Sequence, residues 1–315
     1  MKVLPFAVLL LLLVLPWLLP AYGVQVAIQA LVLAGFAVSF NFLFRNAGLL
    51  SFGHAAFFGA GAYTAALLMS KWGWNYLATL PVVLAVTALV ALVIGFLSVR
   101  LTKIYFTMLT LAFAQMLWAV VHRWYNFTGG DNGITNVRPA GLLGTAHGLY
   151  YLSLACLVFV TLLLRVVVRS PAGYTLRAVR DNPVRVAAIG VSTFEYVLAA
   201  FVLSGTFSGL FGFLQLAWQR SVFPDLLYWT TSAQVIIAVI LGGSGSTKWD
   251  YGPIAGAAVL VSAQAAVQSR TQYWPLALGL VLLVLVLFFP AGVVGLFSRA
   301  ERRRAQEEEL DRAAA

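Results

Sequence analysis

Long, evenly apolar runs separated by short polar interruptions dominate this chain. They lack the period-two alternation of membrane β-strands and read as helices. Ten are expected, at residues 4–20, 24–43, 55–70, 76–99, 104–122, 148–168, 194–217, 230–243, 253–269 and 275–297. Most lie close to the about 20 residues that a helix needs to cross a bilayer. The first run follows Lys2, is longer than the apolar core of a secretory signal, and ends in Pro20-Ala21-Tyr22-Gly23, a poor cleavage site. It is expected to be retained as a span. The predicted fold class is all-α: a polytopic membrane helix bundle of about ten transmembrane helices over residues 1–297, with a cytoplasmic tail at 298–315.

Composition sharpens this picture. Of 315 residues, 62% are hydrophobic and only 10% charged, against about 45–50% and 25% in soluble domains. No room is left for a sizeable soluble domain. The one cysteine, Cys156, lies inside an apolar run and excludes a disulfide framework and a cysteine-based metal site. A formal charge of +10 would suggest nucleic acid in a soluble protein, but in a membrane protein it follows from arginine in cytoplasmic loops, and no nucleic-acid partner is expected. With the N-terminus inside, only Lys71, Arg123, Arg138, Arg220 and Arg270 of the 20 basic residues fall outside. Both termini of this multi-pass chain are therefore expected to be cytoplasmic.

Two loops are longer than hairpins. Residues 123–147, outside, contain Thr128-Gly129-Gly130-Asp131-Asn132-Gly133, whose glycines and Asp-Asn pair demand turns. Inside, 169–193 holds Leu176-Arg177-Ala178-Val179-Arg180, which suits a helix. Pro183 follows as a first-turn residue capped by Asp181 or Asn182, and Gly190 is a stop. Two short helical pieces lying across the membrane surface are predicted there. Within the spans, Gly59, Gly61, Gly205, Gly209, Gly252 and Gly256 include two Gly-xxx-Gly pairs, as close helix packing in lipid requires. The stretches Gly48 to His54 and Gly242 to Ser246 interrupt apolar runs. They are either breaks at membrane depth, buried in protein or lining a cavity, or ordinary cytoplasmic turns.

Several chemistries find no residues to carry them. The run Gly242 to Lys248 fails the phosphate-loop pattern, with Thr247 before the lysine and Trp249 after it. Gly242-Gly243-Ser244-Gly245 has the form used by intramembrane serine proteases, but His54, His122 and His147 all precede it, whereas the rhomboid type takes its base from a later helix. The ten acidic residues lie in loops, at a helix start (Glu195) or in the tail, so no mid-membrane carboxylate is available to couple an ion. No catalytic residue, metal site or cofactor is expected. A transporter built this way would draw its energy from another chain.

Five blocks then carry a resemblance. Asn46 to Tyr63 (NAGLLSFGHAAFFGAGAY), Ile104 to Gln115, Thr128 to Thr135, Leu176 to Asn182, and Leu241 to Ala257 resemble, in family order, the LivM-type permeases of branched-chain amino acid ABC transporters. The resemblance implies a non-enzymatic inner-membrane subunit of an ATP-driven importer, translocating Leu, Ile and Val. It further implies a second homologous permease, two ATP-binding cassette subunits and an extracytoplasmic substrate-binding protein as partners. Urea or short-amide permeases share much of the signature, and they or a stand-alone channel are the alternative. The loop that docks on the ATPases is implied at 172–191, through Leu176, Arg177, Arg180, Arg185, Ala187, Ala188 and Gly190, with Ala187-Ala188-Ile189-Gly190 similar to the Ala/Gly core of importer coupling loops. Family members more often carry arginine at the position of Tyr174, and topology-setting charge is the plainer reading of the three arginines. A zwitterion with an apolar side chain needs a lining with little fixed charge. Asn41, Ser51 and His54, with Gln115, Ser204, Thr206 and Gln215, are the polar residues nearest glycine breaks or span centres. His54 stands out, with a hydrogen-bonded packing histidine as its alternative.

Overall fold

The computed structural model describes residues 3–243 and 251–268, except 102, together with positions 276 and 279. Its helices are α1 (Val3–Leu18), α2 (Ala21–Ala47), α3 (His54–Trp72), α4 (Leu80–Ser98), α5 (Lys103–Arg123), α6 (Tyr125–Thr128), α7 (Ala146–Arg169), α8 (Pro171–Asp181), α9 (Pro183–Ala188), α10 (Thr193–Gln219), α11 (Trp229–Gly242) and α12 (Gly252–Gln268). The first nine predicted runs each coincide with one of them to within a few residues. The tenth run, the tail and the Ser244 to Lys248 stretch lie outside the described residues. Among the described residues, five helical segments are long and apolar enough to cross a membrane: α2, Tyr76–Ser98, α5, α7 and α10. The chain is an all-α polytopic membrane bundle.

Position in the bundle follows from which faces are apolar and small. The 27-residue helices α2 and α10 are buried on most sides and form the centre. Around α10 pack α2, α3 and α4, while α2 also receives α7 and α12. The outer helices bury a single stripe and turn Leu89, Val93, Phe96, Ile104, Met108, Phe159 and Val166 outward, as contact with lipid tails permits. Glycine sets the closest crossing: a Cβ on Gly61 would overlap the Gly209 carbonyl, and one on Gly212 the Phe58 carbonyl, so α3 and α10 touch backbone to backbone. Next to this contact Tyr76 stacks on Phe213 at 4.0 Å and donates its hydroxyl to the Phe213 carbonyl at 2.9 Å.

The two ends of the bundle differ. At one, the Thr128–Gly133 run makes the turns its glycines require, with positive φ at Gly129, Gly130 and Gly133. Ile134 and Val222 then exchange backbone hydrogen bonds of 2.9 Å, and Val137 N–H donates to the Arg220 carbonyl at 2.9 Å. The segment after Val222 dips into the bundle, where Leu227 fills the space over Gly59 and α11 begins. At the opposite end lie the C-termini of α2, α4 and α7, the short helices α8 and α9, and the start of α10.

Candidate functional site

Between α2 and α3 the chain leaves the helical path inside the bundle. Gly48 ends α2 in the left-handed conformation, φ 70°, and its N–H donates to the Phe44 carbonyl at 3.2 Å. Ser51 and Gly53 are buried, so the backbone freed by the break needs partners that water does not supply. Side chains of two neighbouring helices provide them. Thr107 of α5 donates to the Leu50 carbonyl at 2.7 Å. Ser232 of α11 donates to the Phe52 carbonyl at 2.7 Å and accepts the Ala55 N–H at 2.8 Å. Within the break, Ser51 Oγ accepts the Gly53 N–H at 3.1 Å. In this stretch Ser51, Gly53 and His54 are buried in protein, while Gly48, Leu49, Leu50 and Phe52 are half-buried.

His54 opens α3 at the floor of this break and is fully buried. Its Nε2 lies 2.9 Å from Ser204 Oγ on α10, and Ser204 Oγ donates to the Ser39 carbonyl of α2 at 2.6 Å. A hydroxyl has one proton. Since Ser204 gives its proton to Ser39, it accepts from His54, which places the imidazole proton on Nε2. The rings of Phe40, Phe57 and Phe201 stand edge-on around the imidazole at 5.1, 5.6 and 6.1 Å. This assembly joins the start of α3 to the middles of α2 and α10.

The same α2 terminus is held from the opposite direction. Arg180 of α8 donates through Nη1 to the Arg45 carbonyl, in the last turn of α2, where a cation suits the helix dipole. Its aliphatic stem covers Gly48, and a Cβ there would sit 2.6 Å from Arg180 Cγ. Asp181 receives the other edge of the guanidinium, 3.0 Å from Nε and 2.9 Å from Nη2. One side chain thus ties the α8–α9 segment to the helix that ends at the break.

That segment is two helices, as the loop pattern predicts. Of the two caps weighed for Pro183, Asn182 is the one used: its side chain accepts the Arg185 N–H at 3.0 Å. Gly190 has φ 84° beyond the end of α9. Leu176, Val179 and Val186 are buried against the bundle, while Arg185, Ala187, Ala188 and Gly190 face outward and Arg177 is half-buried. Val184 and Ile189 are 76% and 77% exposed. Among the seven residues assigned to docking, Leu176 therefore supports the segment from beneath.

The polar residues proposed for a pathway are scattered. His54 and Ser204 share one network, and Ser51 serves the break. Asn41 lines a crevice with Asn46 and Thr161 of about 20 Å³, the space of one water. Thr206 bonds back to the Val202 carbonyl at 2.7 Å, and Gln115 and Gln215 are half-buried on α5 and α10. None of the seven lines a second, polar cleft found among the described residues. That cleft, about 360 Å³, lies between α2, α10, α11 and α12 and is lined by Gln25, Gln29, Gln234, Gln264 and Gln268 with Tyr22 and Trp218. Two of these pairs, Gln25/Gln29 and Gln264/Gln268, are spaced i, i+4 in otherwise apolar helices, a signal present in the sequence.

Fold and site define a multi-pass, all-α membrane protein. The profile of the family described as branched-chain amino acid transport system / permease component matches residues 22–290, and the chain belongs to that family. It is similar to the high-affinity branched-chain amino acid transport system permease protein LivM of Salmonella typhimurium, with 28% identity over 306 aligned positions that cover 89% of this chain and 71% of the relative. The LivM protein of Escherichia coli matches to the same extent. No solved structure matches. The chain is thus a transport permease component that works within a transporter complex.

Proposed function

We propose that this chain is one membrane-spanning subunit of an ATP-driven importer for branched-chain amino acids. It pairs with a second homologous permease, receives its solute from an extracytoplasmic binding protein, and is worked by two ATP-binding cassette subunits that carry out the hydrolysis. The observation that carries this reading is the α8–α9 segment. Leu176, Val179 and Val186 seat it on the bundle, Arg180 fastens it to the end of α2, and Val184, Ala187, Ala188 and Ile189 form an outward apolar tip. An apolar tip on a polar end is a surface suited to a partner. A push there reaches Arg45 and Gly48 directly, then the break, then the His54–Ser204–Ser39 assembly at the centre.

Charge supports the orientation with this tip in the cytoplasm. The tip end carries Arg45, Arg100, Lys103, Arg165, Arg169, Arg177, Arg180 and Arg185, and the opposite end Lys71, Arg123, Arg138 and Arg220. Both termini and the 298–315 tail are then cytoplasmic, and the membrane is the inner one. The test is reconstitution in vesicles. Leucine, isoleucine and valine uptake that needs ATP, both permeases, the ATPases and the binding protein is expected. Solute flux through this chain alone, or uptake restricted to urea and short amides, would overturn the reading.

A further inference from the structure

The amide cleft is chemically unlike the rest of the bundle surface. Gln25 and Gln29 stand on one face of α2, Gln264 and Gln268 on one face of α12, and Gln234 reaches across from α11. Gln234 Nε2 donates to Gln264 Oε1 at 3.3 Å, the one hydrogen bond between these amides among the described residues. Their polar groups are therefore not consumed in zipping the helices together. Polar side chains in membrane helices that do not pair with one another face water-filled cavities and solute paths. None of the described lining residues is charged. Trp218, whose indole N–H is buried and has no protein acceptor among the described residues, closes one wall. Tyr22, Val26 and Ala265 are shared with an adjoining apolar cleft of about 540 Å³.

We infer that this cleft is a binding station for a neutral zwitterion with an apolar side chain, in the half of the bundle away from α8 and α9. An amide offers a carbonyl to an ammonium group and an NH₂ to a carboxylate, so a ring of glutamines holds both charges of an amino acid without trapping either as a fixed countercharge would. Weak, repeated binding of that kind lets a solute leave as readily as it arrives. Val26, Ala265 and the Trp218 ring then receive the side chain. The volume falls in the about 300–1,000 Å³ range of small-molecule sites. This inference rests on the importer reading and names the residues that handle its solute.

The complete transporter, reconstituted in vesicles with the binding protein, tests it through two readouts. Gln29→Leu and Gln264→Leu are each expected to raise KM for leucine uptake about tenfold or more, the loss of a hydrogen bond to a charged group. In a Cys156→Ser background, Gln264→Cys is expected to react with a membrane-impermeant thiol reagent, more slowly when leucine is bound. Unchanged KM in both leucine variants, or thiol labelling that leucine does not slow, overturns the inference even if the wild-type complex imports leucine. If the wild type imports a different solute, the importer reading fails separately, and the same variants and labelling with that solute decide the cleft. Should Gln264→Leu fail to assemble, protection at Gln264→Cys decides.

Discussion

At the scale of single residues, His54 shows how far polarity alone can be read. Its place beside a glycine break marked it in the sequence, and packing histidine and pathway residue were both open. It is buried, faced by three perpendicular phenylalanine rings and joined through the Ser204 hydroxyl to Ser39, contacts that fit the packing reading. Ser204→Ala strips the His54 Nε2–H of its acceptor in a fully buried site, and a buried donor left unmatched costs about 1–3 kcal/mol. The variant is expected to melt earlier in detergent by that amount, with the substrate range of the transporter unchanged. Combining it with His54→Leu removes both partners, and the double variant is expected to lose less than the sum of the singles, as coupled neighbours do. Equal melting of Ser204→Ala and wild type, or strict additivity, would count against the relay.

Helices were the most legible level. A run of apolar residues in lipid has one way to satisfy its backbone, so run boundaries and helix boundaries nearly coincide, and α9 is framed by the Asn182 amide cap, Pro183 in the first turn and the left-handed Gly190. The pathway was less legible, because nearness to a glycine or a span centre does not say which way a side chain points. Ser204 bridges α2 and α3, Ser51 bonds within the break and Asn41 faces a crevice, whereas the glutamine pairs of α2 and α12 come together only when the two helices lie side by side. Glycine pairs sit between these cases. Gly61 could be read as a packing residue, but not that it meets the Gly209 carbonyl. Gly61→Leu is expected to force α3 off α10 and prevent a stable fold, and even Gly61→Ala to cost about 1–3 kcal/mol by overpacking. Gly73→Ala, with φ 64° and nothing near its Cβ, is the control: its cost is about 1 kcal/mol of backbone strain. Thermal unfolding of the three proteins should rank them Gly61→Leu, Gly61→Ala, Gly73→Ala in order of damage.

On the scale of the whole molecule, the question is how force applied at one end reaches the centre. On the proposed coupling route Arg180 is the narrowest point, since among the described residues it is the one on α8 that donates to the last turn of α2. Arg180→Glu places a carboxylate against the carbonyl end of α2, unfavourable for the helix dipole, and beside Asp181. Because the side chain is exposed, the protein is expected to insert and express normally. Solute-stimulated ATPase activity of the complex should fall roughly 3- to 30-fold, the span of a coupling change of about 0.5–2 kcal/mol. Normal import with normal stimulated hydrolysis in this variant would remove Arg180 from the route.

Variants at the outward tip can separate the proposed docking from folding, because α8 and α9 have one face on the bundle and one turned outward. Val184→Asp and Ile189→Asp alter side chains that are largely exposed, where a charge meets water and should shift stability by no more than about 0.5 kcal/mol. If the ATP-binding subunits seat on this tip, the same charges enter an apolar contact and lose it. Co-purification of the ATPases with the tagged permease is expected to fail for both variants while the permease pair survives. Leu176→Asp is the opposite case: the residue is 3% exposed, and an unpaired carboxylate beneath α8 should unseat the segment and destabilise the permease itself. Full ATPase retention by Val184→Asp and Ile189→Asp would move the docking surface elsewhere, whereas a stable Leu176→Asp protein would mean that α8 is not held by the bundle in the way its buried face indicates.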